Sequence, residues 1–296
     1  MDIVVAGSHG LIGTELLERL RERGDTVRRL VRRPPQTAHE HFWDPDEDAL
    51  DPRALEGADA VVNFAGAGVG DHRWTAEYKR TILESRTRTT GLLARTLAHL
   101  DAPPPVFLQG TAVGYYGDRG AEVLTETSGP GAGFLARVVS EWEAATRPAQ
   151  DAGVRVAHLR TGIVMTPDGG ALARMLPLLR WGVGGRLGSG RQYWSWITLR
   201  DHVSAVLHLL ESDVHGPVNL TGPAPATNAE VTRALAAALH RPAVLAVPSV
   251  ALKVALGEFA SDILGSQRAL PRVLEASGFA FEHPDLEAAA EWVAAG

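Results

Sequence analysis

Asp2-Ile-Val-Val-Ala-Gly7-Ser-His-Gly10-Leu-Ile-Gly13 opens the chain: a short apolar run that breaks into three glycines at three-residue spacing. An apolar run of this length bounded by glycine reads as a strand buried on both faces, as in a parallel sheet. Beyond it Leu11, Ile12, Leu16, Leu17 and Leu20 recur at helical spacing, so Leu11–Arg23 reads as an amphipathic helix. A strand turning through glycines into a helix is a phosphate-binding device. Gly7 permits the tight turn, Gly10 lets a pyrophosphate approach the backbone, and Gly13 lets the helix pack on the sheet while its first N–H groups face the phosphates. Ser8 and His9 inside the loop, with Leu11 and Ile12 after it, complete the expected contact set.

Working outward, Thr26–Val31 reads as a second strand and Asp59–Phe64 as a third, running into the glycine-rich Ala65–Gly70. A long helix is expected from Thr75 to Leu100, stopped by Pro103-Pro-Pro105, followed by the strand Val106–Gln109. A helix over Gly133–Ala152 and the strand Val154–Leu159 close this half. Strands alternating with long helices predict an α/β fold with a doubly wound parallel sheet. After Arg160 the glycines crowd around one expected helix, Ala171–Trp181. Further helices are expected over Arg200–Leu210, Thr227–Leu239, Ser249–Leu264 and Asp285–Val293, with a short strand at Pro217–Leu220. The expected division is a nucleotide-binding domain over 1–165, rejoined by 200–222, and a smaller C-terminal substrate lobe within 166–296.

Composition narrows the function. The net charge of -6 offers no general attraction to nucleic acid or an anionic membrane. The absence of cysteine removes disulfides, thiolate metal sites and a cysteine nucleophile. His39-x-His41 beside proline-rich sequence makes a poor metal site, and no metal is expected. With neither a leader nor a membrane-length apolar stretch, the chain reads as soluble and cytoplasmic. A small-molecule substrate is the expected partner, with a homodimer left open. Lys79 and Lys253 are the only lysines.

Several landmarks agree in order with one family plan. Asn63-Phe-Ala-Gly66 follows a central strand, Gly110-Thr-Ala-Val-Gly-Tyr-Tyr-Gly117 follows the next, and Leu159-Arg-Thr-Gly-Ile-Val164 follows the last. With Ser195–Val203 and Val218-Asn-Leu-Thr-Gly222, the chain resembles the extended and atypical short-chain dehydrogenases/reductases. Glu84-Ser-Arg86, Gly188-Ser-Gly-Arg-Gln192, Trp194-Ser-Trp196 and Gln267-Arg-Ala-Leu-Pro271 make it similar to their epimerase-family, YfcH-like branch. The resemblance runs essentially the whole chain. It implies a Rossmann-type fold, a bound NADP(H), and a small C-terminal lobe, with Ala65, Gly66, Gly110, Arg160 and Gly162 on the cofactor side of the cleft.

The choice of NADP(H) also rests on Arg32-Arg33 at the end of the second strand, with no acidic residue there. A guanidinium grips a 2′-phosphate through paired charge-assisted bonds, which a carboxylate would repel. The alternative is a solvated arginine run that begins at Arg28 and Arg29.

The catalytic pattern is incomplete. Short-chain reductases typically carry Tyr-x-x-x-Lys on the helix after the serine-bearing strand, the lysine holding the nicotinamide ribose and lowering the tyrosine pKa. Here Phe134 and Val138 stand near those positions. Neither lysine elsewhere has a tyrosine four residues before it. Thr111 resembles the family's Ser/Thr. Tyr116 is the first candidate proton donor and Tyr115 the second, although a packed turn explains both equally well. Trp74, Trp194 and Trp196 are candidate substrate-lining residues, with Lys79 pointing to the cleft and Arg191 or Arg86 orienting an anion; they read equally as core and surface. The leading expectation is an NADP(H)-dependent oxidoreductase or epimerase acting on a small polar substrate. The alternative is a structural or redox-sensing protein that binds the nucleotide without turnover.

Overall fold

Ile3, Val4, Val5 and Ala6 have no solvent exposure in the computed structural model, which describes residues 1–296. Their strand, β1 (Asp2–Ala6), lies inside an eight-stranded sheet with β2 (Thr26–Val31), β3 (Glu40–Asp44), β4 (Ala49–Leu50), β5 (Ala60–Asn63), β6 (Val106–Ala112), β7 (Arg155–Thr161) and β8 (Gly216–Leu220). The order is β8-β7-β6-β5-β1-β2-β3-β4. Every neighbouring pair is parallel except β3 and β4. The chain runs outward from β1 through β4 and returns to β5 on the other side of β1. Ligands of open α/β sheets bind in the crevice at such a reversal, outside the carboxyl ends of the strands.

Six helices have ten or more residues: α1 (Leu11–Glu22), α2 (Ala76–His99), α3 (Phe134–Ala144), α4 (Leu199–Glu211), α5 (Asn228–Ala238) and α6 (Leu286–Ala295). Alternation along β1 explains the two layers. Ile3 and Val5 join Leu16, Leu17 and Leu20 of α1 and Val203, Val206 and Leu209 of α4. Val4 and Ala6 face the other way, onto Leu92, Leu93 and Leu97 of α2. The sheet is therefore covered on both faces, as its near-continuous apolar strands require.

A separate cluster holds the C-terminal lobe, joining Met165, Leu172, Leu176, Trp194 and Trp196 to Val231 and Leu235 of α5 and Ala289 and Val293 of α6. Short strand pairs stitch it together, including Ile163–Met165 with Trp196–Thr198 and Gly185–Leu187 with Leu245–Val247. Arg268–Ala269 pairs with Val123–Leu124, tying the end of the chain to the loop after β6.

Three expected helices are broken. The one over 133–152 ends at Ala144 and restarts at Arg147–Asp151, with Pro148 in its first turn. The one over 249–264 divides at Gly257, whose φ is +63°. The one over 171–181 is a 3-10 turn at Gly170–Leu172 and a helix at Leu176–Arg180, with Pro177 at its start.

Candidate cofactor and catalytic site

Gly7 leaves β1 with a φ of +79°, and a Cβ there would lie 2.5 Å from the carbonyl carbon of Phe64 in the loop leaving β5. At Gly13 a Cβ would lie 2.3 Å from the Gly7 carbonyl oxygen. Both glycines are demanded by packing. Gly10 is not: its φ is -77°, and the nearest atom to a Cβ there is 3.5 Å away, an ordinary contact. Gly10 is the N-cap of α1 and makes no side-chain cap, and the first turn carries no acidic residue. The donors at this helix end have no capping side chain, which suits a phosphate. The Leu11 side chain lies against Gly169 and Gly170, so the stretch after Ile163–Met165 borders the loop.

At the β2 end of the crevice the arginines are arranged differently from the expectation. Arg29 touches the glycine loop, with its Nε 3.1 Å from Ser8 Oγ and a terminal nitrogen 2.7 Å from His9 Nε2. Arg33 makes two bonds to Glu40, at 2.7 and 2.9 Å. Arg32 turns away to Asp46 and Asp44. An acidic residue does stand near this strand end, because β3 brings Glu40 into register with Arg29. The Glu40 side chain is only 3% exposed. Its bond from Arg33, with the Gln36 N–H and Arg29 assisting, holds its pKa at about 2. Two guanidiniums share one carboxylate, leaving net positive charge beside Ser8 and His9.

Gly110 and Thr111 occupy the carboxyl end of β6. A Cβ at Gly110 would meet the Phe64 ring at 2.5 Å, so glycine is needed there to pass Phe64. The buried Thr111 hydroxyl donates to Glu143 Oε1 at 3.3 Å. Glu143, on α3, makes a two-pronged ion pair with Arg160 of β7, both bonds at 2.8 Å. Burial alone would weaken the Arg160 cation, but the adjacent Glu143 holds its pKa above the ordinary value. The Arg160 guanidinium lies 3.5 Å from the centre of the Tyr115 ring and donates to the Tyr116 hydroxyl at 3.0 Å.

This geometry corrects several expectations. Tyr116 is fully buried. Its hydroxyl also lies 2.8 Å from Asn219 Oδ1 and 3.0 Å from the Thr125 carbonyl, so it is spent inside the core. Burial pushes its pKa up despite Arg160. Tyr115 is half-buried, and its hydroxyl has no hydrogen-bond partner in the chain. Arg160 is buried, with its guanidinium bonded to Glu143 and Tyr116. Gly162 is required because a Cβ would lie 2.1 Å from the Ser195 carbonyl oxygen. Trp194 and Trp196 belong to the core of the C-terminal lobe, Trp196 donating to the Ala224 carbonyl, and Arg191 is exposed. Trp74 packs edge-on to Phe134 and against Phe259, while Lys79 bonds to Glu258 at 2.6 Å and lies over the Phe134 ring. These contacts join α2 and α3 to the C-terminal lobe. Val138 is buried beside Trp74 and Ile82, so no proton-handling pair exists on α3.

Sequence reading missed Glu40 and Glu143. Glu143 had a signal: Ala136, Val139 and Glu143 share one helical stripe, and an acid on an apolar stripe calls for a cation, which Arg160 of β7 supplies.

The NAD dependent epimerase/dehydratase family matches residues 3–222, and a domain of unknown function, DUF1731, matches residues 247–293. The chain belongs to this epimerase/dehydratase family. It is 47% identical over 283 residues to an epimerase family protein of Mycobacterium bovis, covering 95% of this chain and 93% of that one. A relative in Arabidopsis thaliana, named an epimerase family protein homologue and chloroplastic, is 37% identical, with 96% and 84% covered. Among solved structures, the human epimerase family protein SDR39U1 with NADPH superposes with a TM-score of 0.93 at 34% identity, covering 100% of this chain and 99% of that one. The expected Rossmann-like α/β fold is the one found. No helix is long and apolar enough to cross a membrane.

Proposed function

We propose that this family member binds NADP(H) along the carboxyl edge of the sheet and acts as an oxidoreductase or epimerase on a small polar substrate. The observation that carries the reading is the uncapped N-terminus of α1, where Gly10 has room that packing does not require. The human relative crystallised with NADPH supports the choice of nucleotide. Gly7, Ser8, His9, Gly10, Leu11, Ile12 and Gly13 form the pyrophosphate cradle, Arg29 and Arg33 face the 2′-phosphate, and Ala65 and Gly66 line the opposite wall. Residues 1–165 with 200–222 form the cofactor half, and the remainder forms the substrate lobe.

When bound, the nicotinamide supplies or accepts the hydride. In carbonyl reduction the substrate oxygen takes a proton as the carbon takes the hydride. Thr111 donates a hydrogen bond to that oxygen, leaving its weak 3.3 Å bond to Glu143. Tyr115, the phenol with an uncommitted hydroxyl, gives the proton. Arg160, 3.5 Å from the centre of its ring and anchored by Glu143, holds that ring in place. The rival reading, a nucleotide-binding protein without turnover, is favoured by the close packing of Phe134 and Val138 where family enzymes carry the proton pair.

Gly10→Ala tests the cofactor site. Its backbone angles and ordinary Cβ contact predict a melting temperature close to that of the parent, while NADPH affinity by calorimetry falls at least ~10-fold as the methyl fills the phosphate position. Unchanged affinity would place the nucleotide elsewhere. Reduced-cofactor absorbance against a carbonyl panel then separates enzyme from binding protein.

A further inference from the structure

Two arginines enter the layer between α2, α3 and the sheet, and only one has a counter-ion. Arg160 is paired with Glu143. Arg86, on α2, has no carboxylate within salt-bridge distance, and its single hydrogen bond, 3.0 Å, goes to the Ile82 carbonyl of its own helix. Its guanidinium lies 4.9 Å from the Trp142 ring of α3 and within 3.5 Å of where a Cβ on Gly66 would stand, so it forms part of the wall behind that loop. Burial pulls its pKa down to about 10. Its uncommitted nitrogens are not among the sealed, unpartnered atoms of the core, so solvent reaches them. A half-buried guanidinium whose unspent donors still meet solvent is free to take an anion through charge-assisted bonds.

Its location adds a second argument. Ile82 packs with Val138, and Arg86, one turn further along α2, stacks on Trp142, one turn further along α3. The fixed cation absent from α3 is thus supplied one turn away by the neighbouring helix. Gly66 follows β5, and its loop meets Gly7 through Phe64 and Ala65, which places Arg86 on the wall of the same crevice.

We propose that Arg86 is an anion receptor in the wall of the cleft behind Gly66, taking a phosphate or carboxylate oxygen either from the cofactor or from the substrate. The inference rests on the cofactor reading above for the identity of the cleft.

The test uses the full chain, Arg86→Met, which keeps bulk without charge, and Arg86→Lys, which keeps charge, with far-ultraviolet circular dichroism confirming the fold of each. NADPH is titrated by calorimetry. Inorganic phosphate and succinate, matched in ionic strength with chloride, are titrated against the free and NADPH-loaded proteins by thermal melting. A loss of roughly tenfold or more in NADPH affinity in Arg86→Met, largely restored in Arg86→Lys, supports the proposal with the cofactor as the source. Unchanged NADPH affinity, with a phosphate- or succinate-induced rise in melting temperature in the parent that Arg86→Met lacks, supports it with the substrate as the source. The absence of both changes overturns the proposal and leaves Arg86 as a stacking residue. If the parent fails to bind NADPH, the cofactor reading falls by itself, and the anion titrations on the free protein still decide Arg86 either way.

Discussion

Replacing Tyr116 by phenylalanine leaves Arg160, Asn219 and the Thr125 carbonyl each short of a partner inside the core, whereas the same change at Tyr115 leaves no protein group unpaired. Tyr116→Phe should therefore lower unfolding free energy by about 1–3 kcal/mol, and Tyr115→Phe by less than about 0.5 kcal/mol, both read by urea titration. Turnover of any carbonyl found to be a substrate should respond in the opposite order, falling sharply in Tyr115→Phe. A Tyr115→Phe protein with parental turnover removes this phenol as the proton donor. In the sequence the two tyrosines are adjacent and chemically alike, and nothing local says which one faces Asn219, more than a hundred residues away. Thr111 was legible because it sits at a defined point after a strand; its partner Glu143 is set by a tertiary contact between α3 and β6.

At the scale of elements, the strands buried on both faces were the plainest to read, while β2, largely half-exposed, was also legible. β1, β5, β6 and β7 announce themselves as apolar runs, and α1 and α2 as periodic helices with definite ends, α2 opening on the Thr75 cap. β3 was illegible because Glu40-His-Phe-Trp-Asp44 has no apolar run and lies among prolines and acids. Missing β3 meant missing Glu40, and with it the reason that Arg29 rather than Arg32 meets the glycine loop. The β2–β3 pairing predicts a graded response to alanine. Arg29→Ala and Arg33→Ala should each reduce the preference for NADPH over NADH, by roughly tenfold where a charge-assisted phosphate bond is lost, and Arg32→Ala should change it little. Calorimetric titration with both nucleotides checks the order; a dominant effect at Arg32 would show that the nucleotide pulls this side chain off Asp46.

Across the whole molecule, the buried imidazoles make stability depend on pH in the acid range. His202, fully enclosed at the start of α4, is held by burial at a pKa of about 3, with Nε2 3.0 Å from Thr161 Oγ1 and Nδ1 unpartnered. Burial lowers His158 in the same direction. In the unfolded chain both take up protons near the ordinary value of 6.5. Their contribution is thus intact above that value and lost as pH falls through the window toward about 3, because the unfolded state binds protons that the folded state does not. Asp262 works the other way. Burial first, and then Glu258, raise it to about 6 from an ordinary 3.8, so its contribution is present at low pH and lost as pH rises through about 6. One carboxyl opposes two imidazoles, and the net stability should fall on acidification. Between pH 7 and pH 5, His202 alone accounts for about 2 kcal/mol, the 1.5 pH units below its unfolded pKa at 1.36 kcal/mol each. His202→Phe, which keeps an aromatic ring in that space, should flatten the pH dependence of urea unfolding by that amount while leaving the His158 and Asp262 contributions in place. Parallel pH profiles for parent and variant would mean that folded His202 accepts a proton in this range, which requires a water or a shift of α4 to reach its unpartnered Nδ1.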